Sequence, residues 1–352
     1  MGVATIKDVA AQAGVSVMTV SRVLNGERYV SENKRERVLA AVAALGFSRN
    51  PSARGLPGKR TYVLALVSGV IADYAAAIER GAIRRCRKDG YHLAVAATDP
   101  AIEDPAEAIR LLISALPADG LILLPPLAND PAVLDLLDAQ GKPYVRIAPD
   151  DRLERSPSVR IDETAAAEAM TAHLLDLGHR RIGFVRGPPD HGGSARRRQG
   201  YLQALSKRGF AADEALMRDG DFSFLGGLAA GRALLAMEDP PTAIFASNDA
   251  MALGVMSAAA QAGLSAPRQL AVAGFDDTEV AHQTWPALTT IRQPMEDMGE
   301  AAADLLIARI DEGSERRPAE VRMLDYALIV RGSTCPDAPP GGRAVEPRSI
   351  SS

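Results

Sequence analysis

The chain has only two cysteines, Cys86 and Cys335, and neither stands in a pairing or metal-ligand spacing. A disulfide scaffold and a zinc module are therefore not expected, and no metal or cofactor is implied. No apolar run reaches the roughly 18 residues a membrane span requires, and no charged-then-apolar leader opens the sequence. The expectation is a soluble, reduced, cytoplasmic protein without a membrane partner. Strong catalytic signatures are missing as well: there is no Walker loop, no GxGxxG after a strand, no GxSxG elbow and no HExxH. The five histidines, at 92, 173, 179, 191 and 282, are scattered without ligand spacing, and His179 in LGHRRIGFV reads as helix-to-strand turn packing. The chain is thus not expected to be an enzyme; steady turnover of a bound ligand would reopen that class.

What is present begins with TIKDVAAQAGVSVMTVSRVLN at residues 5–25. Thr5 can cap a helix while Asp8 reaches back to the free amides. Ile6, Val9, Ala10 and Ala13 fall on one stripe, and Gly14 suits the left-handed residue that ends such a helix. Ser16 can cap a second helix with Val20, Val23 and Leu24 inward, leaving Val17, Met18, Ser21 and Arg22 on other surfaces. Ser31 can cap a third, with Val38, Ala41, Val42 and Leu45 inward. Three helices of this size make a minimal core.

Two short helices across a glycine turn form a helix-turn-helix pattern, whose second helix lies in the major groove of DNA. Arg22 can pair with guanine, while Val17 and Met18 offer apolar contact, for instance to a thymine methyl. Ser16, Thr19, Ser21 and Asn25 suit phosphate oxygens and would set register. The alternative places Val17 and Met18 in the core of the small bundle. Residues 1–60 hold ten Lys or Arg against four Asp or Glu, a net of +6; the whole chain is −4, so the remainder carries −10. A basic head on an acidic body confines polyanion binding to the head.

The remaining residues suffice for two further domains. Short apolar runs at 62–67, 93–97, 120–124 and 144–147 alternate with helical patterns near 75–88, 104–116 and 131–139. The alternation repeats with runs at 182–185, 243–246 and 270–273 and helices near 163–177, 195–209, 225–237 and 249–262. The fold class is α/β, a helical head followed by two doubly wound lobes. In such sheets ligands bind beyond the carboxyl ends of the strands. Asn248 and Asp249 after AIFAS, Asp276 and Asp277 after LAVAGF, and Arg197 in SARRRQGY occupy such ends. Each also has a plain structural role open to it as a cap, a turn residue or a surface arginine.

The order TIKDVAAQAGVS, TVSRVLN and VSENKRERVLAAVAALGFSRNPSARGL resembles the DNA-binding headpiece and hinge of the LacI/GalR family of transcription repressors, ungapped over about fifty residues. The resemblance implies a headpiece over 1–49, a hinge helix over 50–60, a sensor N-lobe over 61–161 plus 292–325 and a C-lobe over 162–291 plus 326–334. It also implies three crossings between lobes, near 161, 292 and 326, and the fold of type I periplasmic binding proteins. On this pattern Thr5, Ser31, Asn50 and Ala53 join the DNA-facing set, and Leu56 is the residue that would wedge into the minor groove at the operator centre. Pro57 departs from the usual hinge pattern and should shorten that helix.

The resemblance further implies a carbohydrate effector held by Arg197, Asn248 and Asp276, since an aspartate and an arginine can bridge vicinal hydroxyls while an amide both donates and accepts. Phe222 matches an aromatic that stacks on a sugar face, and Gln293 lies at a crossover. The usual Asn-Pro-aromatic turn is reduced here to Tyr74 in SGVIADYAAAIERG. Arg146, Arg160 and Arg186 keep an acidic sugar open as an alternative effector, and a corepressor would use identical parts. A transport receptor shares the lobes but would need an export signal and would not carry the head. The implied function is a repressor of carbohydrate-utilisation genes, a homodimer on a pseudo-palindromic operator, released by its effector. The stretch 335–352, rich in Pro, Gly and Ser and lacking a leucine heptad, is expected to be disordered, with no basis for a tetramer.

Overall fold

The structure, a computed structural model, describes residues 4–24, 30–45, 60–69, 72–98, 102–189, 191–312, 318–339 and 341–345. The chain divides into two compact units, 1–61 and 62–352.

The first unit holds α1 (Ile6–Ala13), α2 (Val17–Leu24) and α3 (Glu32–Leu45). Thr5 and Asp8 form a full capping box, and Gly14 ends α1 at φ 60°, ψ 41°. Asp8 accepts from the Thr5 hydroxyl at 2.7 Å and from the Thr5 amide at 2.8 Å, which together hold its carboxyl below the usual range. Val9, Ala10, Ala13, Val20, Val23, Val38 and Ala41 close the core. A guanidinium nitrogen of Arg37 on α3 donates to the carbonyls of Ala13 and Gly14, tying α3 to the turn after α1. That contact satisfies carbonyls the helix end would leave open.

The second unit has two sheets. The first has strand order β11-β5-β4-β3-β1-β2, from β1 (Val63–Ser68), β2 (His92–Ala97), β3 (Gly120–Leu123), β4 (Tyr144–Ile147), β5 (Ser158–Arg160) and β11 (Val321–Met323), all parallel. Helices α4 (Ala72–Lys88), α5 (Pro105–Ala115), α6 (Pro131–Ala139) and α12 (Met295–Glu312) cover it. The second sheet has order β13-β12-β10-β9-β8-β6-β7, from β6 (Ile182–Arg186), β7 (Met217–Asp219), β8 (Ala243–Ala246), β9 (Ala271–Asp276), β10 (Thr289–Arg292), β12 (Ala327–Val330) and β13 (Arg343–Val345). Its helices are α7 (Glu163–Asp176), α8 (Gly192–Lys207), α9 (Phe224–Leu235), α10 (Asp249–Gln261) and the short α11 (Glu279–Gln283). The chain therefore passes between sheets after β5, after β10 and after β11, and the C-terminal helix α12 lies against α4 of the first lobe.

The α4–α12 contact is close because glycines make it so. A Cβ on Gly81 would stand 1.8 Å from the Glu296 carbonyl oxygen, and one on Gly299 1.9 Å from that of Ile78. Around this seam Arg84 reaches both Glu296 and Glu300, Lys88 reaches Glu300, and Arg85 reaches Asp89 and Asp304.

The stretch from residue 335, expected to be disordered, is ordered where it is described. Cys335 and Ala338 pack on the second lobe's core, and Gly342 at φ 80° turns the chain so that β13 pairs antiparallel with β12. The physical reason is the edge of β12, whose backbone groups would otherwise go unpaired by protein. Residues 346–352 lie outside the described residues.

Candidate functional site

In the head, Val17 and Met18 are 41% and 64% exposed beside the buried Val20 and Val23. They are therefore not core residues, and the α2 surface presents apolar groups where solvent or a partner must meet them. Ser16 accepts the Thr19 amide at 3.2 Å, capping α2, and shares a hydrogen bond with the Thr19 hydroxyl at 2.9 Å. Arg22 is exposed on α2, Ser21 is partly buried, and Thr5 and Ser31 are exposed at the starts of α1 and α3. Asn25, Asn50, Ala53, Leu56 and Pro57 lie outside the described residues, as does nearly all of the expected hinge.

In the body, the carboxyl ends of the strands converge on a cleft between the lobes. Its lining is Tyr74, Pro125 and Ala148 from the first lobe and Glu163, His191, Arg197, Phe222, Asn248 and Asp276 from the second, drawn together around a cavity of about 20 Å³. Among the described residues six non-glycines adopt positive φ, and three of them, Ala148, Phe222 and Asp276, line this cleft. Strain concentrated there is what a site held by its surroundings shows.

Arg197 is 5% exposed and is held on every side. It donates to Glu163 Oε1 at 2.9 Å and to the Ser247 carbonyl, lies 3.6 Å from Asp276 Oδ1, and stacks 3.8 Å over the Phe275 ring. Its Nε is buried with no partner. Asn248 caps α10 by accepting the Met251 amide at 2.9 Å and donates to the Phe222 carbonyl at 3.0 Å, so its capping and site roles coincide. Asp276 accepts from Gln293 Nε2 at 2.7 Å; burial pushes its carboxyl up to about 6, with Arg197 and Gln293 pulling the other way. Phe222 meets the edge of the His191 ring at 5.0 Å. The half-buried Tyr74 hydroxyl is pushed upward by burial and by the negative charges of Glu163 and Asp276.

The neighbouring acids serve the frame. Asp249 accepts from Thr290 Oγ1 at 2.6 Å and from the Thr278 amide at 2.8 Å, and burial together with Asp276 raises its pKa well above the usual range. Asp277 pairs with Arg292 at 2.6 Å and Arg331 at 2.7 Å.

Four residues of the site were not singled out from the sequence: Glu163, His191, Ala148 and Pro125. A carboxylate at a helix start reads as a cap, but here α8 brings two arginines onto it. Glu163 gives Oε1 to Arg197 and Oε2 to Arg196; burial would raise its pKa, yet the two cations hold it at about 2. Arg196 also bonds Asp150 Oδ1 at 2.9 Å. Burial and Arg197 push the His191 imidazole down, and its Nδ1 is buried without a partner. The strand-end rule would have found Glu163 and Ala148, which follow β5 and β4.

The arginines considered for an acidic ligand are elsewhere: none of Arg146, Arg160 or Arg186 lines the cleft. Arg146 is fully buried and donates to Ser156 Oγ and to the carbonyls of Ala128, Asp151 and Arg152. Arg186 pairs with Asp219 at 2.8 Å and Glu214 at 3.7 Å. His179 bonds Thr242 Oγ1 at 2.9 Å, between a helix end and a strand start. No helix of the described residues is long and apolar enough to cross a membrane, and no group of acidic, histidine or cysteine side chains among them could hold a metal ion.

Residues 5–50 match the model of bacterial regulatory proteins, lacI family, and residues 171–334 match a periplasmic binding protein-like domain. The ribose operon repressor of Escherichia coli (strain K12) is 36% identical over 94% of this chain and 99% of its own length. The HTH-type transcriptional regulator CelR of Thermobifida fusca is 35% identical over 94% and 98%. Among solved structures, the lac repressor dimer bound to operator and the anti-inducer ONPF superposes with a TM-score of 0.80 at 28% identity, covering 95% of this chain and 99% of that one. A complex of the regulator CelR with cellobiose gives 0.72 at 33% identity, covering 94% and 99%. The chain belongs to the lacI family of bacterial regulatory proteins, DNA-binding regulators of transcription.

Proposed function

We propose that this regulator is a repressor of carbohydrate-utilisation genes that leaves its operator when a neutral sugar or glycoside enters the cleft between the lobes. The observation that carries the reading is the convergence of Arg197, Asn248 and Asp276 on one cleft beside the Phe222 ring. The arginine Nε is a donor in search of an acceptor, the aspartate accepts, and the ring offers an apolar wall, which together suit a polyhydroxyl ligand. The relatives point the same way: one is named for a ribose operon, and another is solved with cellobiose.

Charge favours a neutral ligand over an acidic one. Arg197, the arginine on the cleft lining, already faces Glu163 and Asp276, and its neighbour Arg196 faces Glu163 and Asp150, so their charge is largely met by the protein's own carboxylates. The expected partners are operator DNA and a second copy of the chain, in the cytoplasm, and the ligand is bound rather than turned over. Tyr74, Arg197, Phe222, Asn248, Asp276 and Gln293 form the proposed effector set. Val17, Met18 and Arg22 are the proposed base readers, with Leu56 the proposed minor-groove wedge.

A mobility-shift assay on the gene's own upstream DNA, run with a panel including D-ribose and cellobiose, tests this. One sugar should release the wild-type protein and leave Asp276→Ala bound. Release of that variant at the wild-type sugar concentration would overturn the site assignment, and tighter binding with sugar would make the ligand a corepressor.

A further inference from the structure

Arg196 and Asp150 do not line the cleft, yet they meet across it. Asp150 follows β4 in the first lobe, and its amide donates to Asn129 Oδ1 at 2.7 Å, which fixes the loop. Its carboxylate takes two donors from α8 of the second lobe: Arg196 at 2.9 Å on Oδ1 and the Gly192 amide at 3.0 Å on Oδ2. Arg196 in turn shares Glu163 with Arg197. An unbroken line of charge-assisted bonds therefore runs from the first lobe, through Arg196 and Glu163, to the arginine in the cleft.

We propose that Asp150, Arg196 and Glu163 form a latch that ties ligand recognition by Arg197 to closure of the two lobes. Asp150 and Arg196 act as positioning residues: they hold the lobes together and, through the shared Glu163, hold Arg197 in its binding posture. Apparent ligand affinity scales with the fraction of molecules already closed, so the latch sets sensitivity without touching the ligand. The pair is only partly exposed, with side chains 16% and 25% accessible, which spares it much of the screening a surface pair suffers. Gly192 belongs to the device because a Cβ there would fall 1.7 Å from Asp150 Oδ1.

The latch rests on the reading of Arg197 as an effector contact only for its consequence; its existence is tested with no effector present. Amide hydrogen exchange on the full chain would compare wild type with Arg196→Met, Asp150→Asn, their double variant and Gly192→Ala. Exchange at 148–152 and 191–197 should quicken about tenfold relative to the amides of β8 and β9, as expected for loss of a charge-assisted bond. The double variant should quicken exchange by less than the product of the two single effects, because the Arg196–Asp150 bond is lost in each case while the Gly192 and Glu163 bonds belong to one partner only. Arg196→Lys should fall between wild type and Arg196→Met. If Arg196→Met leaves 148–152 at its wild-type ratio to β8 and β9, or if the two single effects multiply in the double variant, there is no latch. A failed sugar panel would leave that result standing, and a failed latch would leave the sugar assignment standing.

Discussion

Gln293 donates its side-chain amide to Oδ1 of Asp276 across 2.7 Å, joining the residue after β10 to the residue that ends β9. The bond sits where the chain leaves the second lobe for α12. It is also a bond to a carboxylate whose charge is costly, because burial lifts Asp276 to about 6 against an ordinary value of 3.8.

The sign of the pH effect follows from that lift. Between about pH 4 and 6 the folded protein holds a proton on Asp276 that the unfolded chain has released, so stability falls as pH rises through this window. The cost above pH 6 is on the order of 2–3 kcal/mol. Asp276→Asn should therefore raise the melting temperature of the ligand-free protein at pH 7 and narrow the gap between pH 5 and pH 7, while abolishing sugar release. A lower melting temperature for the variant at pH 7 would show that the anion is not a burden.

Glu163 titrates in the opposite sense. Arg197 and Arg196 overcome burial and hold it at about 2, so its contribution is present above about pH 4.5 and lost as pH falls toward 2. Glu163→Gln removes the charge that two buried or half-buried arginines share, and breaking such a pair costs about 3–5 kcal/mol. Urea denaturation at pH 7 should show that loss, and at pH 3 the difference should shrink. An equal loss at both pH values would assign the effect to packing.

The lobes were legible because buried strands such as LALV and AIFA carry continuous apolar runs between helical patterns. A strand without such a run was not. β10 is hidden by Thr289 and Thr290, which are fully buried but spend their hydroxyls on Thr334 and Asp249, so a polar pair stands where an apolar one signals a strand. Asn248 and Asp276 were readable from position alone, since one follows β8 and the other ends β9. Glu163 was obscure because its burial depends on α8 folding back with adjacent arginines, a contact 33 and 34 residues distant in sequence. The tail misled because composition describes what a segment can bury for itself, and β12 offered it an edge.

The α4–α12 seam predicts a stability effect remote from both ligands. Gly81→Ala would drive a methyl into the Glu296 backbone, which no side-chain rotation relieves. Overpacking of this kind costs about 1–3 kcal/mol or more. Gly90→Ala, whose Cβ would meet nothing within 4 Å but whose φ is +73°, should be destabilising through backbone strain instead. Thermal melting of the two variants separates the causes: replacing Gly90 by Asn, which tolerates positive φ, should recover most of the loss there, while Gly81→Asn should be worse than Gly81→Ala.

The head offers a separation of folding from reading. Met18 is 64% exposed and bonds nothing that its loss would unpair, so Met18→Ala should leave the melting temperature within the range of a surface change, about 0.5 kcal/mol. Thr5→Ala removes the hydroxyl half of the capping box, leaving the Asp8 carboxylate on the residue-5 amide, and should cost about 1 kcal/mol. On operator DNA the two should differ in kind. Met18→Ala should weaken the preferred sequence by about 1 kcal/mol or more and flatten the preference at a thymine position, because an apolar contact to a methyl is lost. Thr5→Ala should weaken all sequences alike, as a loosened head presents the same side chains less often. A selection from randomised half-sites decides between them: an unchanged consensus for Met18→Ala would remove that side chain from the reading surface and leave Val17 and Arg22 to carry it.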